Sequence, residues 1–217
     1  MIKGLARAIF RRSQPLARLV ALRHLSHGGF LHDIGWFDSH RTFIAVGGDG
    51  RAIPWYTYPA IRFLESRVDK RMAVFEYGSG NSTTWWSTHA GRVVSCEHDV
   101  RWHAAVAERL PSHVEYHLIP LDNTGTYAAH ISRHRSEFDI VVLDGRDRVR
   151  CAAHVEPALT SSGVIVWDNS DRIEYQEGYD NLATAGFKRL DFWGMGPINT
   201  YEWCTSVFYR PGNCLGI

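Results

Sequence analysis

The sequence predicts a doubly wound α/β domain with a mostly parallel sheet of seven strands. Three observations predict it: the length of 217 residues, the alternation of short apolar runs with helical stretches after residue 70, and glycine or acidic residues at the ends of several apolar runs. A chain of this length buries one hydrophobic core and leaves room for an appendage. Its apolar share of 45% and charged share of 22% argue against a disordered or membrane-spanning chain.

Seven apolar runs predict the strands of this sheet. They are Met72–Tyr77, Arg92–Glu97, Val114–Ile119, Phe138–Leu143, Val164–Trp167, Phe187–Phe192 and Thr205–Tyr209. Helices are predicted at Ala60–Val68, Ser82–His89, Val100–Leu110, Tyr127–Arg135, Arg148–Leu159 and Tyr175–Ala185. Strands that alternate with helices favour right-handed crossovers and parallel pairing. Gly194–Thr200 is instead a loop with glycine and proline, so the last two strands are expected to pair antiparallel at one edge.

Residues 1–70 are predicted to form a helical extension and lid, and residues 71–217 the main domain. The segment from His27 to Pro59 is rich in glycine and aromatic residues, which indicates an irregular lid or connection. The first 32 residues carry six Lys and Arg and no acidic residue. Two interpretations are open: residues 1–23 make weak contact with an anionic membrane surface, or they form a helix that packs on the domain or on the second subunit of a homodimer.

Charge and cysteine content narrow the functional class. A formal net charge of +1 gives no general argument for nucleic acid as a partner. The four cysteines include no C-x-x-C pair, which indicates reduced and mostly buried thiols rather than a zinc or redox site. Reduced thiols in turn favour a cytoplasmic location.

A glycine turn follows the first predicted strand. Gly78 and Gly80 let the backbone turn sharply and approach a ligand closely, where a side chain would strike that ligand. Ligands of open α/β sheets bind at the carboxyl ends of the strands, where this turn falls. Glu97 ends the second predicted strand, and a carboxylate there can accept hydrogen bonds from both ribose hydroxyls of an adenosine. The sequence therefore predicts a nucleoside site.

The same turn distinguishes between two nucleoside cofactors. A dinucleotide fingerprint has a third glycine three residues after the second, where this chain has Thr83. Glu76 before the glycines resembles instead the E/D-x-G-x-G motif of class I S-adenosylmethionine (SAM)-dependent methyltransferases. The resemblance implies that Glu76 contacts the methionine moiety of SAM, directly or through water. Asp122 is either an adenine contact or a helix-capping acid of a solvated loop. The cofactor-binding residues implied are Glu76, Gly78, Ser79, Gly80, Asn81, Ser82, Glu97, His98, Asp122 and Asp144.

Two further strands end in acids that are expected to face the same cleft. Asp144 follows one strand, and Asp168 and Asn169 follow the next; adjacent parallel strands lie about 4.8 Å apart, so these side chains converge. Two carboxylates and an amide carbonyl suit Mg²⁺. They resemble the metal triad of Mg²⁺-dependent catechol-type and macrolide-sugar O-methyltransferases, a resemblance that covers residues 71–210. It implies that the metal binds a vicinal diol and lowers the pKa of one hydroxyl.

Several groups are candidates for the proton acceptor. The catechol-type enzymes have a lysine three positions beyond the first metal aspartate, where this chain has Asp147. Asp144 is a candidate catalytic residue as a ligand of the metal. The proton goes to Asp147 or to a histidine such as His98 or His154, or the metal alone suffices. Alternatively, Asp144 and Asp171 are structural and pair with arginines, or the arginines bind an anionic substrate such as a phosphorylated or acidic sugar. The arginines concerned are Arg146, Arg148 and Arg172.

Four aromatic residues before the first strand have two interpretations. Trp36, Trp55, Tyr56 and Tyr58 form either a lid over a planar or sugar acceptor or ordinary packing against the sheet. The segment Pro54–Pro59 and the two acidic strand ends also resemble little-characterised bacterial methyltransferase-like proteins. We expect an O-methyltransferase for a small hydroxylated acceptor. The alternative is a non-catalytic SAM-fold module that binds a membrane or protein partner through its basic N-terminus.

Overall fold

The computed structural model describes residues 13–217, and its centre is a sheet of seven strands. The strands are β1 (Ala73–Tyr77), β2 (Arg92–Glu97), β3 (Glu115–Leu118), β4 (Phe138–Leu143), β5 (Leu159–Asp168), β6 (Lys188–Gly194) and β7 (Trp203–Tyr209). They lie in the order β3-β2-β1-β4-β5-β7-β6. Strands β1 to β5 pair in parallel, and β7 pairs antiparallel with both β5 and β6. The predicted mostly parallel sheet with an antiparallel pair at one edge is confirmed.

Helices cover both faces of this sheet. They are α1 (Gln14–His27), α2 (Phe30–Asp33), α3 (Trp36–Thr42), α4 (Tyr58–Glu65), α5 (Asn81–His89), α6 (Val100–Ala107), α7 (Thr126–Ala129), α8 (Arg148–Val155) and α9 (Gln176–Thr184). On one face α7, α8 and α9 bury residues such as Tyr127 and Tyr179 against the sheet. On the other face α3, α4 and α5 do so with residues such as Trp36 and Trp86. Helices α3 and α4, which precede β1, therefore pack in the main core.

Two predicted helices end in a 3-10 turn. The stretch predicted as one helix over Tyr127–Arg135 is α7 followed by a 3-10 turn at His130–Arg133. Helix α8 ends at Val155, and Pro157 lies in the 3-10 turn that follows. A proline cannot donate the backbone hydrogen bond that would continue an α-helix. Strand β5 consequently begins earlier than predicted, directly after this turn.

Strand β1 separates its side chains between the two cores. Phe75 and Tyr77 belong to the core under α7 and α8, while Val74 belongs to the core under α4 and α5. Successive side chains of a strand point to opposite faces, so Glu76 lies on the same face as Val74. It is fully buried there, below the start of α5.

Helix α1 lies apart from both cores. None of its residues is buried, and Leu19 and Leu22 are 65% and 63% exposed. Within residues 13–217 no helix combines the length and apolarity needed to cross a membrane. The predicted membrane or subunit contact of residues 1–23 falls largely outside the described residues, which include only its last part, with Arg18 and Arg23.

Candidate active site

The strand register aligns four functional candidates across the sheet. Tyr77 pairs with Cys96 of β2 and with Leu143 of β4, and Leu143 pairs with Trp167 of β5. The next residue along each strand therefore stands at the same level. These four residues, at the carboxyl ends of the parallel strands, are Glu97, Gly78, Asp144 and Asp168.

A side chain would meet different neighbours at the two glycines of the turn. Gly78 has φ of +86°, and a Cβ there would lie 2.7 Å from the backbone of Gly145. A side chain at Gly78 would therefore strike this backbone, rather than the ligand as expected. A Cβ on Gly80 would meet only Trp102, at 3.7 Å, so position 80 is the one where a small residue leaves open space for a ligand.

Glu76 supports the turn from inside the core. Its Oε2 accepts hydrogen bonds from Thr83 Oγ1 at 2.5 Å and Ser95 Oγ at 2.9 Å. Thr83 Oγ1 in turn accepts from the Gly80 amide at 3.0 Å. Glu76 Oε1 is buried and has no hydrogen-bond partner among the described residues, and burial raises the pKa of this carboxyl to about 7. The threonine that replaces the third glycine thus links Glu76 to the turn, and one carboxyl oxygen lacks a donor.

Glu97 is held by the backbone around it. Its Oε1 accepts from the amides of His98 and Asp99, at 2.7 and 2.9 Å. Its Oε2 accepts from the amide and hydroxyl of Ser79, at 3.2 and 3.1 Å. His98 Nδ1 also lies 2.7 Å from Glu97 Oε1. These contacts fix the carboxylate at the edge of a cavity of about 510 Å³, which we call the Glu97 cavity.

Trp102 is a cavity residue that the sequence reasoning missed. It lies in α6, its indole Nε1 donates to the Ser79 carbonyl at 2.8 Å, and the residue is 47% exposed. It lines both the Glu97 cavity and a smaller cavity of about 170 Å³ beside Gly80 and Asn81, the glycine-turn cavity. A large aromatic residue near the start of the helix after the strand-end acid was the available signal.

Asp144 is bound by an arginine one helical turn further along. Arg148 Nη2 donates to Asp144 Oδ1 at 2.9 Å, and Arg148 Nε donates to the Gly145 carbonyl at 2.9 Å. A third donor, Nη1, contacts the Asp168 carbonyl. Burial raises the pKa of the Asp144 carboxyl to about 6, against the opposing attraction of the Arg148 guanidinium. Of the structural ion pairs considered for Asp144, the one with Arg148 is therefore formed.

Asp168 is held from the antiparallel strand β7. Its Oδ1 accepts from Trp203 Nε1 at 3.0 Å and from Thr205 Oγ1 at 2.5 Å. Burial, followed by repulsion from the Asp144 carboxylate, raises the pKa of Asp168 to about 7. The two carboxyls, Asp168 buried and Asp144 partly exposed, therefore repel each other, and both have raised pKa values.

These donors do not fit the predicted Mg²⁺ site. A guanidinium of Arg148 occupies Asp144 Oδ1, and two donors of β7 occupy Asp168 Oδ1. The described residues contain no group of three or more His, Cys, Asp or Glu side chains arranged to hold a metal ion. A cation beside Asp144 would also face the positive charge of Arg148. Asp144, Asp168 and Asn169 line one cavity, but protein donors take up the Oδ1 atom of each aspartate, so the structure gives no support to their assignment as Mg²⁺ ligands.

Three other predicted residues lie outside the cavities described here. Asp147 pairs with Arg150 at 3.3 Å, and His154 Nδ1 lies 3.2 Å from Ser132 Oγ. Asp122 accepts from the amides of Gly125 and Thr126, at 2.8 and 2.9 Å. It is exposed at the start of α7, and its hydrogen bonds to residues 124–126 lower its pKa to about 2. The geometry favours the helix-capping interpretation of Asp122.

A third cavity lies beside Asp168 and has a volume of about 280 Å³; we call it the Asp168 cavity. Asp144 and Trp55 line all three cavities, so the three meet at these two residues. Trp55 is 45% exposed, whereas the other aromatic residues predicted as a lid, Trp36, Tyr56 and Tyr58, are buried. Thus one of the four reaches this cleft and the other three pack in the core.

Backbone strain concentrates at the same place. Five non-glycine residues of the described chain have positive φ, and three of them line these cavities: Phe43 at 55°, Asn169 at 51° and Ile198 at 72°. A β-branched residue such as Ile198 rarely adopts this conformation. Residues held in such conformations cluster at functional sites, which supports this cleft as the active site.

Comparison with solved structures identifies the fold. No protein-family model and no curated protein matches the sequence. A precorrin-6y C5,15-methyltransferase from Geobacter metallireducens is similar over 70% of this chain and 88% of that one, with 12% identity and a TM-score of 0.55. A methyltransferase from Geobacter sulfurreducens is similar over 89% and 96%, with 15% identity and a TM-score of 0.52. A spermidine synthase from Thermotoga maritima is similar over 74% and 58%, with 16% identity and a TM-score of 0.51.

These neighbours share an architecture and differ in their reactions. Identities of 12 to 16% establish the fold alone, and a fold hosts more than one chemistry. The substrate and reaction must therefore be argued from the site. What the geometry and the neighbours establish together is that this chain has the fold of the class I SAM-dependent methyltransferases.

Proposed function

We propose that the protein is a SAM-dependent O-methyltransferase that acts on a small hydroxylated acceptor, such as a sugar, a glycan or a secondary metabolite. One observation carries the proposal: Asp144 stands where a nucleoside-sized cavity beside Glu97 meets a small polar cavity beside Asp168. A carboxylate at that junction can contact an acceptor hydroxyl while the methyl donor lies on the other side. Proximity and alignment of this kind supply much of the rate in group transfer.

The donor side fits SAM in three respects. The volume of about 510 Å³ lies within the range of small-molecule pockets. Glu97 lines this cavity at the end of β2, the position that favours a contact with ribose hydroxyls, and its two oxygens also accept four hydrogen bonds within the protein. Glu76, which is buried, accepts a hydrogen bond from Thr83, and Thr83 accepts one from the Gly80 amide; this network holds the glycine turn that borders the cavities. SAM, when bound, supplies an electrophilic methyl group whose bond to sulfur breaks with both electrons going to sulfur.

The acceptor side provides a base without a metal. With a pKa of about 6, Asp144 is mostly ionised at pH 7 and can accept the proton of the acceptor hydroxyl as its oxygen bonds to the methyl carbon. Arg148 orients Asp144 through Oδ1. Asp168, held by Trp203 and Thr205, provides a second carboxyl to orient the acceptor.

Calorimetric titration with SAM tests the donor side. We expect micromolar affinity, about −8 kcal/mol. Glu97→Gln should weaken it by about 10- to 100-fold, because a hydrogen bond to a charged group contributes about 1.5–3 kcal/mol. The exposed Glu108→Gln is the matched control and should bind like the wild type. A folded protein that binds no SAM contradicts the proposal, as does equal binding by the Glu97 variant.

One observation favours a second candidate, a non-catalytic SAM-fold module on an anionic membrane. Helix α1 buries none of its residues, exposes Leu19 and Leu22, and carries Arg18 and Arg23. Leucines beside cations suit a surface of anionic lipid. Sedimentation of the whole protein with phosphatidylglycerol vesicles, but not with phosphatidylcholine vesicles, would support this candidate if methyl transfer is absent. Light scattering measures the molar mass of the protein and therefore distinguishes membrane binding from the formation of a homodimer through the same leucines.

A further inference from the structure

We propose that the acceptor is a single sugar ring that carries a carboxylate or phosphate group, and that Arg172 binds this group. The inference rests on the proposed function and specifies its acceptor. The Asp168 cavity, at about 280 Å³, lies just below the range of pockets for drug-sized ligands. A site of that size holds one ring rather than an extended molecule.

The walls of the Asp168 cavity combine aromatic and hydrogen-bonding groups. Trp55 and Tyr201 are 45% and 63% exposed, so each presents an aromatic surface to solvent. Such surfaces are stabilised when an apolar face covers them, and the C–H face of a pyranose is one such surface. The amides of Asn169 and Asn199 line the same cavity and can each donate to and accept from sugar hydroxyls.

The arginines of the cleft differ in what they already bind. Arg148 donates to Asp144 Oδ1 and to backbone carbonyls, so its donors are occupied. Arg146 lines the Glu97 cavity alone. Arg172 lines both that cavity and the Asp168 cavity, and its one side-chain hydrogen bond is to Tyr175 Oη at 3.4 Å. Within residues 13–217 no carboxylate lies within salt-bridge distance of it.

A guanidinium in this position selects for an anion. Its planar set of donors matches carboxylate and phosphate oxygens in pairs. The Arg172 charge also lowers the pKa of Asp144, which places the two groups within electrostatic reach of each other. An anion on Arg172 would reduce that effect and make Asp144 a stronger base, so the group that selects the acceptor also prepares the base.

Binding titrations on the whole protein test the acceptor class separately from the reaction. The probes are glucuronate, glucose 1-phosphate, glucose and catechol, each titrated with and without S-adenosylhomocysteine. We expect at least one anionic sugar to bind about tenfold or more tightly than glucose, a difference of about 1.4 kcal/mol. Glucuronate and glucose 1-phosphate distinguish a carboxylate from a phosphate as the preferred anion.

Variants then separate the contribution of Arg172 from general effects. Arg172→Gln should bind the anionic sugars only as well as glucose, and Arg172→Lys should restore part of the preference. Arg150→Gln, half-exposed and paired with Asp147 outside the cavities, should keep it. Tyr201→Ala should weaken all three sugars together.

The outcomes distinguish this inference from the proposed function. Glucose binding as tight as the anionic sugars, tighter binding of catechol, or no binding of any sugar would overturn the inference. A preference for anions that survives in Arg172→Gln would overturn the role of this residue. SAM binding is measured on the same samples. If the wild-type protein binds no SAM, the proposed function is refuted. If it binds SAM but shows no preference for anionic sugars, only the acceptor class is refuted.

Discussion

The donor half and the acceptor half of the cleft are built in different ways. In the donor half, Glu97 takes its hydrogen bonds from Ser79, His98 and Asp99, all close to it in the chain or in the adjoining turn. In the acceptor half, Asp168 takes its hydrogen bonds from Trp203 and Thr205, on strand β7, which follows α9 and β6 in the chain. The donor half is a local motif, whereas the acceptor half is assembled by the tertiary fold.

The two halves should also respond differently to acid. Burial raises the pKa of Asp144 and Asp168 in the acceptor half, so their contribution to stability is full at low pH and is lost as pH rises through about 6 to 7. Beside the donor half, burial lowers the pKa of His117, which pairs with Cys96 from the edge strand β3, and that of His130 to about 4. The contribution of these histidines is present above about pH 6.5 and is lost on acidification.

The largest effect is expected at the glycine turn. Gly78→Val places side-chain atoms against the Gly145 backbone, 2.7 Å from the position of Cβ, at positive φ. We expect a loss of about 3–5 kcal/mol in the free energy of unfolding, measured by urea denaturation. Gly80→Ala, whose Cβ meets only Trp102 at 3.7 Å, should keep the fold and weaken SAM binding. Similar losses of stability in both variants would contradict the view that Gly78 is required for packing and Gly80 for ligand space.

Removal of the proposed base should affect the rate more than the binding of the donor. Asp144→Asn should lower kcat for methyl transfer by about 10²- to 10⁴-fold, the usual contribution of a general base, a larger change than the one in SAM affinity, which is expected because Asp144 also lines the donor cavity. His154→Ala, whose ring contacts Ser132 away from the cavities, provides the comparison in steady-state kinetics. A larger loss in the histidine variant would transfer the base role from Asp144 to His154.

Arg148 should tune the pH dependence of the acceptor half. Its guanidinium lowers the pKa of Asp144, so Arg148→Gln should move the acidic limb of the kcat profile from about 6 to higher pH, by about 1 to 3 units. Arg148→Lys retains the charge and should give a smaller shift. An unchanged limb in the glutamine variant would show that another group sets it.

The smallest effect is the acid response of the two halves. The folded protein disfavours protonation of His117 and His130, whose ring centroids lie 5.1 Å apart, so acid should destabilise the region around them. We therefore expect amide protection, measured by hydrogen exchange between pH 7 and 5 and corrected for the intrinsic pH dependence, to fall first around β3 and His130. Strand β5 should stay protected. His130→Gln should remove part of the difference, and earlier loss of protection in β5 would reverse the assignment.

The donor half could be predicted from sequence because its signals are local. An apolar strand, two glycines and an acid at the end of the next strand depend on spacing along the chain, and the structure brings Gly78 and Glu97 to one level of the sheet. Glu76 belongs to the predicted motif, but its burial beside Thr83 depends on which face of β1 it occupies. The sequence signal for Trp102, which lines the cleft, is only its place near the start of the helix after Glu97.

The acceptor half could not be predicted to the same depth. The sequence places Asp144 and Asp168 on neighbouring strand ends, and two oxygens near each other suggested a metal. Whether Arg148 binds Asp144 depends on the path of the chain between them, where Asp147 adopts positive φ. Trp55 and Tyr201 line the Asp168 cavity because loops from separate parts of the chain come together there. The periodicity of apolar residues in the sequence does not predict how such loops approach each other.

Gly78 and Gly145 have a consequence for the history of the fold. Their backbones touch although they lie on different strand ends, and a Cβ on Gly145 would also come within 2.2 Å of Tyr127 Oη. A substitution at either position therefore disturbs the other, and proteins descended from a common ancestor should retain both glycines together. A search that requires this distant pair, rather than the turn alone, is expected to recover relatives in which the other residues of the motif have diverged.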